Sequence, residues 1–268
     1  TVKHVVSRKS QQQLLPTLIF LLLLAPPPLF FSRVGATKGG YWFTFALFIF
    51  FCLNMVVERL LRPRLQLFFA MIVSVLAFCY DVFYNRYFAG GGLLTLLLGF
   101  LSFMTWRYYL FFYLGVEAKR HKEQFLMLTS KPQTPLLAAV VLILIATAGH
   151  TESVGMAYLT FAVGGVSGMI LVFSLFRQFY HGQCLVLEFV GRRTLDIYLL
   201  HYFLLPRFLL PYGEQLRGQN SILLEIGVVL VLALLVVMAS LAVSYLLRKS
   251  TLLARILFGQ LPDKQPEQ

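Results

Sequence analysis

Thr194, Tyr198 and His201 are spaced so that a helix would carry all three on one face. The sequence predicts such a helix from about Thr194, with this polar stripe turned to the interior of a helix bundle. An imidazole with a pKa of about 6.5 can take up a proton at neutral pH, and a tyrosine hydroxyl can orient it. His201 is therefore a candidate general base supported by Tyr198, with Thr194 as a substrate contact. The alternative is a histidine that only hydrogen-bonds within the bundle and fixes its packing.

Arg107 is the second residue whose placement is costly, because its charge cannot be shed and it lies in an apolar segment. Its neighbours are Trp106, Tyr108 and Tyr109. A guanidinium in a polar cavity could hold phosphate groups or stabilise a developing oxyanion. The alternative is a guanidinium near the membrane boundary that stacks between aromatic rings.

Further candidates flank these two positions. Arg192 and Arg193 are placed to meet an anionic substrate from the cytosol, although a membrane boundary alone also favours basic residues there. Asp196 lies in the first turn of the predicted helix, where the helix dipole favours an acid regardless of function. Trp42 is predicted to be an interfacial anchor, with a stacking platform for a sugar as the alternative.

The composition indicates that membrane helices position these residues. Hydrophobic residues make up 59% of the 268 positions and charged residues only 13%, whereas soluble domains carry about 25% charged residues. The sequence therefore predicts an all-α polytopic bundle: a single membrane-embedded domain over residues 1–268, with a cytosolic tail over residues 248–268. Eight segments are expected to cross the bilayer: Leu14 to Ser32, Gly40 to Val57, Leu65 to Tyr84, Leu98 to Val116, Pro135 to His150, Val154 to Phe176, Leu195 to Pro211 and Ser221 to Leu247.

The distribution of lysine and arginine predicts the orientation of these spans. Seventeen of the 23 basic residues fall in alternate segments that include both termini, and five fall in the opposite loops. The positive-inside rule then places both termini in the cytosol. Because this bias and contact with anionic headgroups explain the net charge of +12, no nucleic-acid partner is expected, and the lipid bilayer is the predicted surroundings.

Metal and cofactor motifs are not apparent in the sequence. Cys52, Cys79 and Cys184 are scattered without ligand spacing, and no phosphate-binding glycine loop occurs. No metal and no bound cofactor are therefore predicted. The opening residues TVKHVVSRKSQQQ read as a loop between two membrane helices, which predicts that the natural chain begins further upstream.

Four motifs in the same order resemble the acyltransferase-3 family of integral membrane acyltransferases. The motif GRRTLDIYLLH, residues 191–201, is similar to the last motif of that family. The other three are a basic loop entering a span through a proline, a span opening on an aromatic pair, and consecutive phenylalanines with a glycine before a basic stretch. They correspond here to Arg8, Lys9 and Pro16; to Tyr41, Trp42 and Phe43; and to Phe111, Phe112, Leu114 and Gly115 before Lys119 and Arg120.

The resemblance implies a transferase of groups other than aminoacyl groups. An acyl-CoA, with acetyl-CoA expected, would donate from the cytosol to a hydroxyl of a cell-surface or exported carbohydrate or glycolipid, in a bacterial plasma membrane. On this basis Arg107, Arg192 and Arg193 would contact the donor. The resemblance also implies two earlier spans, the first with the family's catalytic histidine, which would leave His201 in a supporting role. Two alternatives remain: an inactive or structural remnant of the family, and a transporter or flippase component.

Overall fold

The computed structural model describes residues 2–24, 40–87, 101, 103–147, 153–180, 184–206, 213 and 222–259. Every regular element in these ranges is helical, as predicted. The α-helices are α1 Val2–Lys9, α2 Leu15–Leu24, α3 Trp42–Leu60, α4 Pro63–Tyr87, α5 Tyr109–Arg120, α6 Lys122–Ser130, α7 Gln133–Thr147, α8 Val154–Phe179, α9 Leu185–Arg192, α10 Thr194–Leu204, α11 Ile222–Arg248 and α12 Thr251–Phe258. A π-helix over Ser10–Leu14 joins α1 to α2, and a 3-10 helix over Phe103–Tyr108 precedes α5.

Four of the described helices are long and apolar enough to cross a membrane. They are α3, α4, α8 and α11, and each matches a predicted span. Helices α6 and α7 reach this standard only together, as a pair bent by 80°. The remaining predicted spans correspond to shorter described helices or extend outside the described residues. Eight spans and two cytosolic termini therefore stay predictions.

The described residues fall into two compact units. The first unit draws on Thr1–Arg33, Lys38–Phe45 and Cys184–Gln268, and the second on Val34–Thr37 and Ala46–Gln183. Nothing in this division tests the predicted single domain or the cytosolic position of the tail.

An aromatic cluster forms the core of the first unit. The Phe20 ring of α2 packs within 6.4 Å of the rings of Tyr41, Phe203 and Phe258. Phe258 is buried on α12, so the described start of the predicted tail is a packed helix. Helix α12 ends at Phe258, and the next residue, Gly259, has a left-handed backbone with φ of 60°. Gly259 lies directly against the backbone of the π-helix, where a Cβ would overlap Gln12.

The second unit is built around α5 and α8. Tyr109 and Tyr113 of α5 are buried, and Tyr109 packs on the ring of Phe50 at a centroid distance of 5.4 Å. Gly165 of α8 lets α5 approach closely, because a Cβ there would overlap the present position of the Phe111 ring. Close approach of small residues is a general means of packing helices in lipid, where no hydrophobic effect draws them together.

Candidate functional site

The polar stripe lies on a helix that begins where it was predicted to begin. Helix α9 ends at Arg192, and Arg193 interrupts the helical path before α10 starts at Thr194. The Thr194 hydroxyl donates a hydrogen bond to the carbonyl of Gly191 at 2.7 Å. Thr194 therefore stabilises the break between the two helices, a role that the sequence did not indicate.

A cavity of about 970 Å³ lies between α10 and α11 in the first unit. Thr194, Tyr198 and His201 line its α10 wall, as their spacing on one helix face required. The α11 wall is apolar and includes Val229, Ala233 and Val237. The volume is at the upper end of the range typical of small-molecule sites, about 300–1,000 Å³.

The contacts of His201 determine its tautomer. Its Nδ1 lies 2.6 Å from the carbonyl oxygen of Tyr198, and a carbonyl can only accept. Nδ1 therefore carries the proton, and the lone pair of a neutral imidazole is on Nε2. Among the described residues Nε2 has no hydrogen-bond partner. The ring also packs on Tyr202 at a centroid distance of 4.0 Å.

Tyr198 supports His201 in a different way from the one predicted. Its hydroxyl donates to the carbonyl of Gly40 at 2.9 Å and accepts from the amide of Phe43 at 3.2 Å. The predicted orientation of the imidazole by this hydroxyl is therefore wrong; the Tyr198 backbone carbonyl does it instead. The phenol is held by the chain at the start of α3, because a helix N-terminus there leaves amide groups without intrahelical partners.

Gly40 and Tyr41 join two of the sequence motifs. The Tyr41 hydroxyl donates to the carbonyl of Leu199 at 2.7 Å, and Tyr202 donates to the carbonyl of Gly40 at 3.2 Å. Gly40 has a φ of 100°, and a Cβ there would overlap the Tyr202 ring. Tyr41 to Phe43 and the helix of His201 are thus parts of one site, a contact that neither motif alone predicts.

Asp196 is a functional candidate whose importance sequence reasoning missed. Its side chain is only 2% exposed. Arg248 binds it through two hydrogen bonds of 2.8 Å, and Ser244 donates at 2.5 Å. Arg193 lies 3.4 Å away. Since a buried carboxylate is costly unless paired, this network and not the helix dipole explains Asp196.

A signal for this network was present on α11. Leu232, Val236, Ser240, Ser244 and Arg248 follow at four-residue intervals, which places successive members next to one another along the helix. The first two line the cavity, and the last two hold Asp196. The change from apolar to polar along this row marks where the cavity ends and the ion pair begins.

The arginines before α10 have different surroundings. Arg192 has an 82% exposed side chain and its partner is Glu188 at 3.7 Å. Arg193, unlike Arg192, contacts the buried network, because its guanidinium lies 3.4 Å from the Asp196 carboxylate. The same guanidinium lies 5.9 Å from the centroid of the Phe189 ring. Trp42 packs edge-on against Phe43 at 6.0 Å.

Arg107 lies in the second unit and in the 3-10 helix, where it forms an ion pair with Asp81. Its side chain is 28% exposed and that of Asp81 is 18% exposed. The guanidinium lies over the rings of Tyr108 and Phe161 at 5.1 and 5.7 Å. Of the two predicted roles, this geometry favours the stacked guanidinium. The Arg107 Nε remains a buried donor with no partner among the described residues.

The long apolar helices indicate a multi-pass membrane protein. His201 places an ionisable side chain on the wall of the cavity between α10 and α11. A family model described as an acyltransferase domain matches residues 2–249. The chain therefore belongs to the acyltransferase-3 family, as its motifs predicted. No curated protein and no solved structure matches the chain.

Proposed function

We propose that this membrane acyltransferase moves an acyl group, with acetyl expected, from acyl-CoA to a carbohydrate hydroxyl in the cavity between α10 and α11. The observation that carries the proposal is the hydrogen bond from His201 Nδ1 to the Tyr198 carbonyl. It leaves Nε2 as a proton acceptor in a cavity wall, which is the tautomer that a general base requires.

In the proposed transfer, His201 acts as a general base on the acceptor hydroxyl. Nε2 of His201 takes the proton of the acceptor hydroxyl while the hydroxyl oxygen forms a bond to the thioester carbonyl carbon of acyl-CoA. The tetrahedral oxyanion collapses, the carbon–sulfur bond breaks, and the thiolate of CoA takes the proton back from the imidazolium. The proposed reaction steps use no metal ion. Thr194 and Tyr198 shape the wall on which the acceptor lies.

Arg192 is the proposed contact for the donor phosphates. Its side chain is largely exposed beside the start of α10 and its one described ion pair is long. Arg193 is proposed to act with it from the edge of the Asp196 network. Trp42 is the proposed stacking surface for the sugar, because it lies beside Tyr41 at the chain segment that contacts α10.

The proposed topology has eight spans, both termini in the cytosol and a bacterial plasma membrane as its location. The charge bias and the four long helices support it. Single cysteines at Lys9 and Lys249 in a variant without Cys52, Cys79 and Cys184 should react with an impermeant maleimide only after the membrane is permeabilised. Labelling of intact cells at either position would contradict the topology.

Transfer of radiolabelled acetate from acetyl-CoA to membrane glycans tests the function. His201→Ala and His201→Gln should each lower the rate by about 10²- to 10⁴-fold, the usual contribution of a positioned base. Phe203→Leu, two positions along the same helix and outside the cavity lining, keeps an apolar side chain against Phe20, so it is the matched control and should keep the rate.

Two outcomes would contradict the proposal at different levels. Unchanged transfer in a folded His201→Ala variant would restrict His201 to helix packing. No transfer by the whole protein, over several acyl-CoA donors and glycan acceptors, would contradict the enzyme itself and favour an inactive remnant or a transporter component.

A further inference from the structure

A second cavity, of about 380 Å³, lies among α5, α6 and α8 in the second unit. Its walls are formed by apolar residues, among them Leu114, Phe125, Ile170 and Phe173. Gly115 also lines it, so Leu114 and Gly115 place the phenylalanine–glycine motif of the sequence at this cavity. The acyl-transfer chemistry proposed for the first unit does not use this motif.

The polar groups of this cavity are confined to one side. Glu117, His121 and Gln124 all come from the junction of α5 and α6. Glu117 accepts hydrogen bonds from Tyr113 at 2.9 Å and Arg120 at 2.6 Å, and its other oxygen lies 3.6 Å from His121 Nε2. The cavity thus has hydrogen-bonding groups at one side, which we call its mouth, and an apolar interior. A lipid molecule has the same arrangement, with a polar headgroup and an apolar chain.

Part of the apolar lining is exposed at the protein surface. Leu128, Met169 and Phe173 line the cavity, yet each remains more than a third exposed. All three belong to helices that the membrane prediction includes, α8 and the bent pair. A hydrocarbon chain can therefore enter sideways from the bilayer without opening the helices.

The charge around the mouth selects the headgroup. Basic residues outnumber acidic ones at this end of the second unit, where Arg120 bonds to Gln66 near the α3–α4 turn and Gln178 bonds to the Lys131 carbonyl. The acids here are Glu58, Glu117 and Glu123, and the bases are Arg59, Arg62, Arg64, Lys119, Arg120, Lys122, Lys131 and Arg177. Each basic residue near a membrane surface attracts anionic lipid by about 1 kcal/mol.

We infer that this cavity binds one anionic glycerophospholipid with a hydroxylated headgroup. One acyl chain lies between α5 and α8, the headgroup hydroxyls reach Glu117, His121 and Gln124, and the phosphate meets Lys119 and Lys122. This site is separate from the transfer chemistry, so the inference does not depend on the proposed function.

Gly115 provides a sharp test because a Cβ at this position meets no atom within 4 Å. A larger side chain here fills the cavity instead of straining the helix. Gly168 of α8 also meets no atom within 4 Å and does not line the cavity, so it is the matched control. The full chain is purified and reconstituted into nanodiscs containing equal phosphatidylglycerol and phosphatidylcholine, and the lipid that stays bound on release from the nanodisc is measured by native mass spectrometry.

The wild-type protein should retain one phosphatidylglycerol. Gly115→Phe should lower that retention at least tenfold, while Gly168→Phe should leave it unchanged. Lys119→Glu with Lys122→Glu should abolish the preference over phosphatidylcholine and leave the chain-binding cavity intact. Retention by Gly115→Phe, equal retention of phosphatidylcholine by the wild type, or a free fatty acid as the retained species would each overturn the inference. All of these outcomes can be read whether or not acyl transfer is detected.

Discussion

The cavities of the two units differ in where their polar groups lie. In the first unit Thr194, Tyr198 and His201 run along one wall and face an apolar wall on α11. In the second unit the polar groups lie at one side only. A polar wall fits the proposed deprotonation of a hydroxyl, whereas polar groups at one side fit the inferred binding of a headgroup above a hydrocarbon chain. One helical family domain thus contains two kinds of binding space.

The charged networks beside these cavities differ in the same way. Asp196 is buried and has Arg248 as a two-bond partner, with Ser244 and Arg193 at its remaining positions. Arg120 instead divides its donors among Glu58, Glu117 and Gln66, and its side chain is 35% exposed. The buried network fixes α10 against α11, whereas the Arg120 network is partly exposed to solvent, which screens it, so it contributes less to stability.

Removing Asp196 should have the largest effect and would test this contrast directly. Asp196→Leu leaves Arg248 without its carboxylate, which costs about 3–5 kcal/mol for a buried pair. The thermal midpoint in detergent should fall strongly. Glu188→Ala removes only the exposed pair with Arg192 and should change the free energy of unfolding by at most about 1 kcal/mol.

A double variant separates charge from packing. Asp196→Leu combined with Arg248→Met removes both charges and should recover much of the lost stability, because buried ion pairs are often replaceable by apolar side chains. A single Asp196→Leu variant as stable as the wild type would contradict the buried network.

Gly40→Ala should have the next largest effect, because φ of 100° and the Tyr202 ring both exclude a Cβ. Backbone strain of this kind costs about 1–3 kcal/mol. The variant should unfold at a lower temperature and also lose acyl transfer, since Gly40 holds Tyr198 and Tyr202. Gly168→Ala, in open space on α8, should leave the free energy of unfolding unchanged. Equal effects of both changes would contradict the close packing of Gly40 against Tyr202.

Arg107→Ala distinguishes the two roles considered for that residue. A stacked and ion-paired guanidinium predicts a loss of about 1–2 kcal/mol in the free energy of unfolding. The KM for acyl-CoA should not change. Asp81→Ala should have a similar effect on stability. A raised KM with an unchanged thermal midpoint would instead indicate phosphate binding.

The smallest expected effect is the pH dependence of Glu117 in the exposed network. Burial alone would raise its pKa, but hydrogen bonds from Tyr113 and Arg120 and the charges of Arg120 and His121 hold the pKa below its ordinary value. Ionised Glu117 therefore contributes its full stabilisation of the folded state above the ordinary carboxyl pKa. This contribution is lost as the pH falls through the lowered pKa of Glu117 in the folded protein. Between pH 6 and pH 3 the thermal midpoint of Glu117→Gln should fall less than that of the wild type; an equal fall in both proteins would contradict the role of Glu117.

Several features of the fold could be predicted from local pattern. Helices α3, α4, α8 and α11 were expected because an uninterrupted apolar run of this length has no other stable conformation in lipid. The start of α10 near Thr194 and the common face of Thr194, Tyr198 and His201 also followed from helical spacing. The family was evident from four motifs and is shown by the match over residues 2–249.

Other features depended on contacts between residues far apart in the chain. Asp196 looked like a residue of the helix dipole until Ser244 and Arg248, about 50 positions later, supplied its partners. Tyr198 seemed placed to orient His201, but Gly40, 158 positions earlier, accepts its hydroxyl hydrogen. No periodicity within one helix contains this information.

By itself, then, the sequence determined that this chain is a helical membrane protein of the acyltransferase-3 family and which residues share a helix face. Apolar length, charge bias and motif order are properties of neighbouring residues, so they can be read without coordinates. Only the tertiary structure decided that His201 keeps Nε2 available, that Asp196 is the buried ion-pair partner of Arg248, and that Gly115 opens on a second cavity. The Asp196–Arg248 pair arises from groups that meet only when helices distant in the chain pack together. The availability of His201 Nε2 depends on a side-chain orientation within α10 that the residue type alone does not fix.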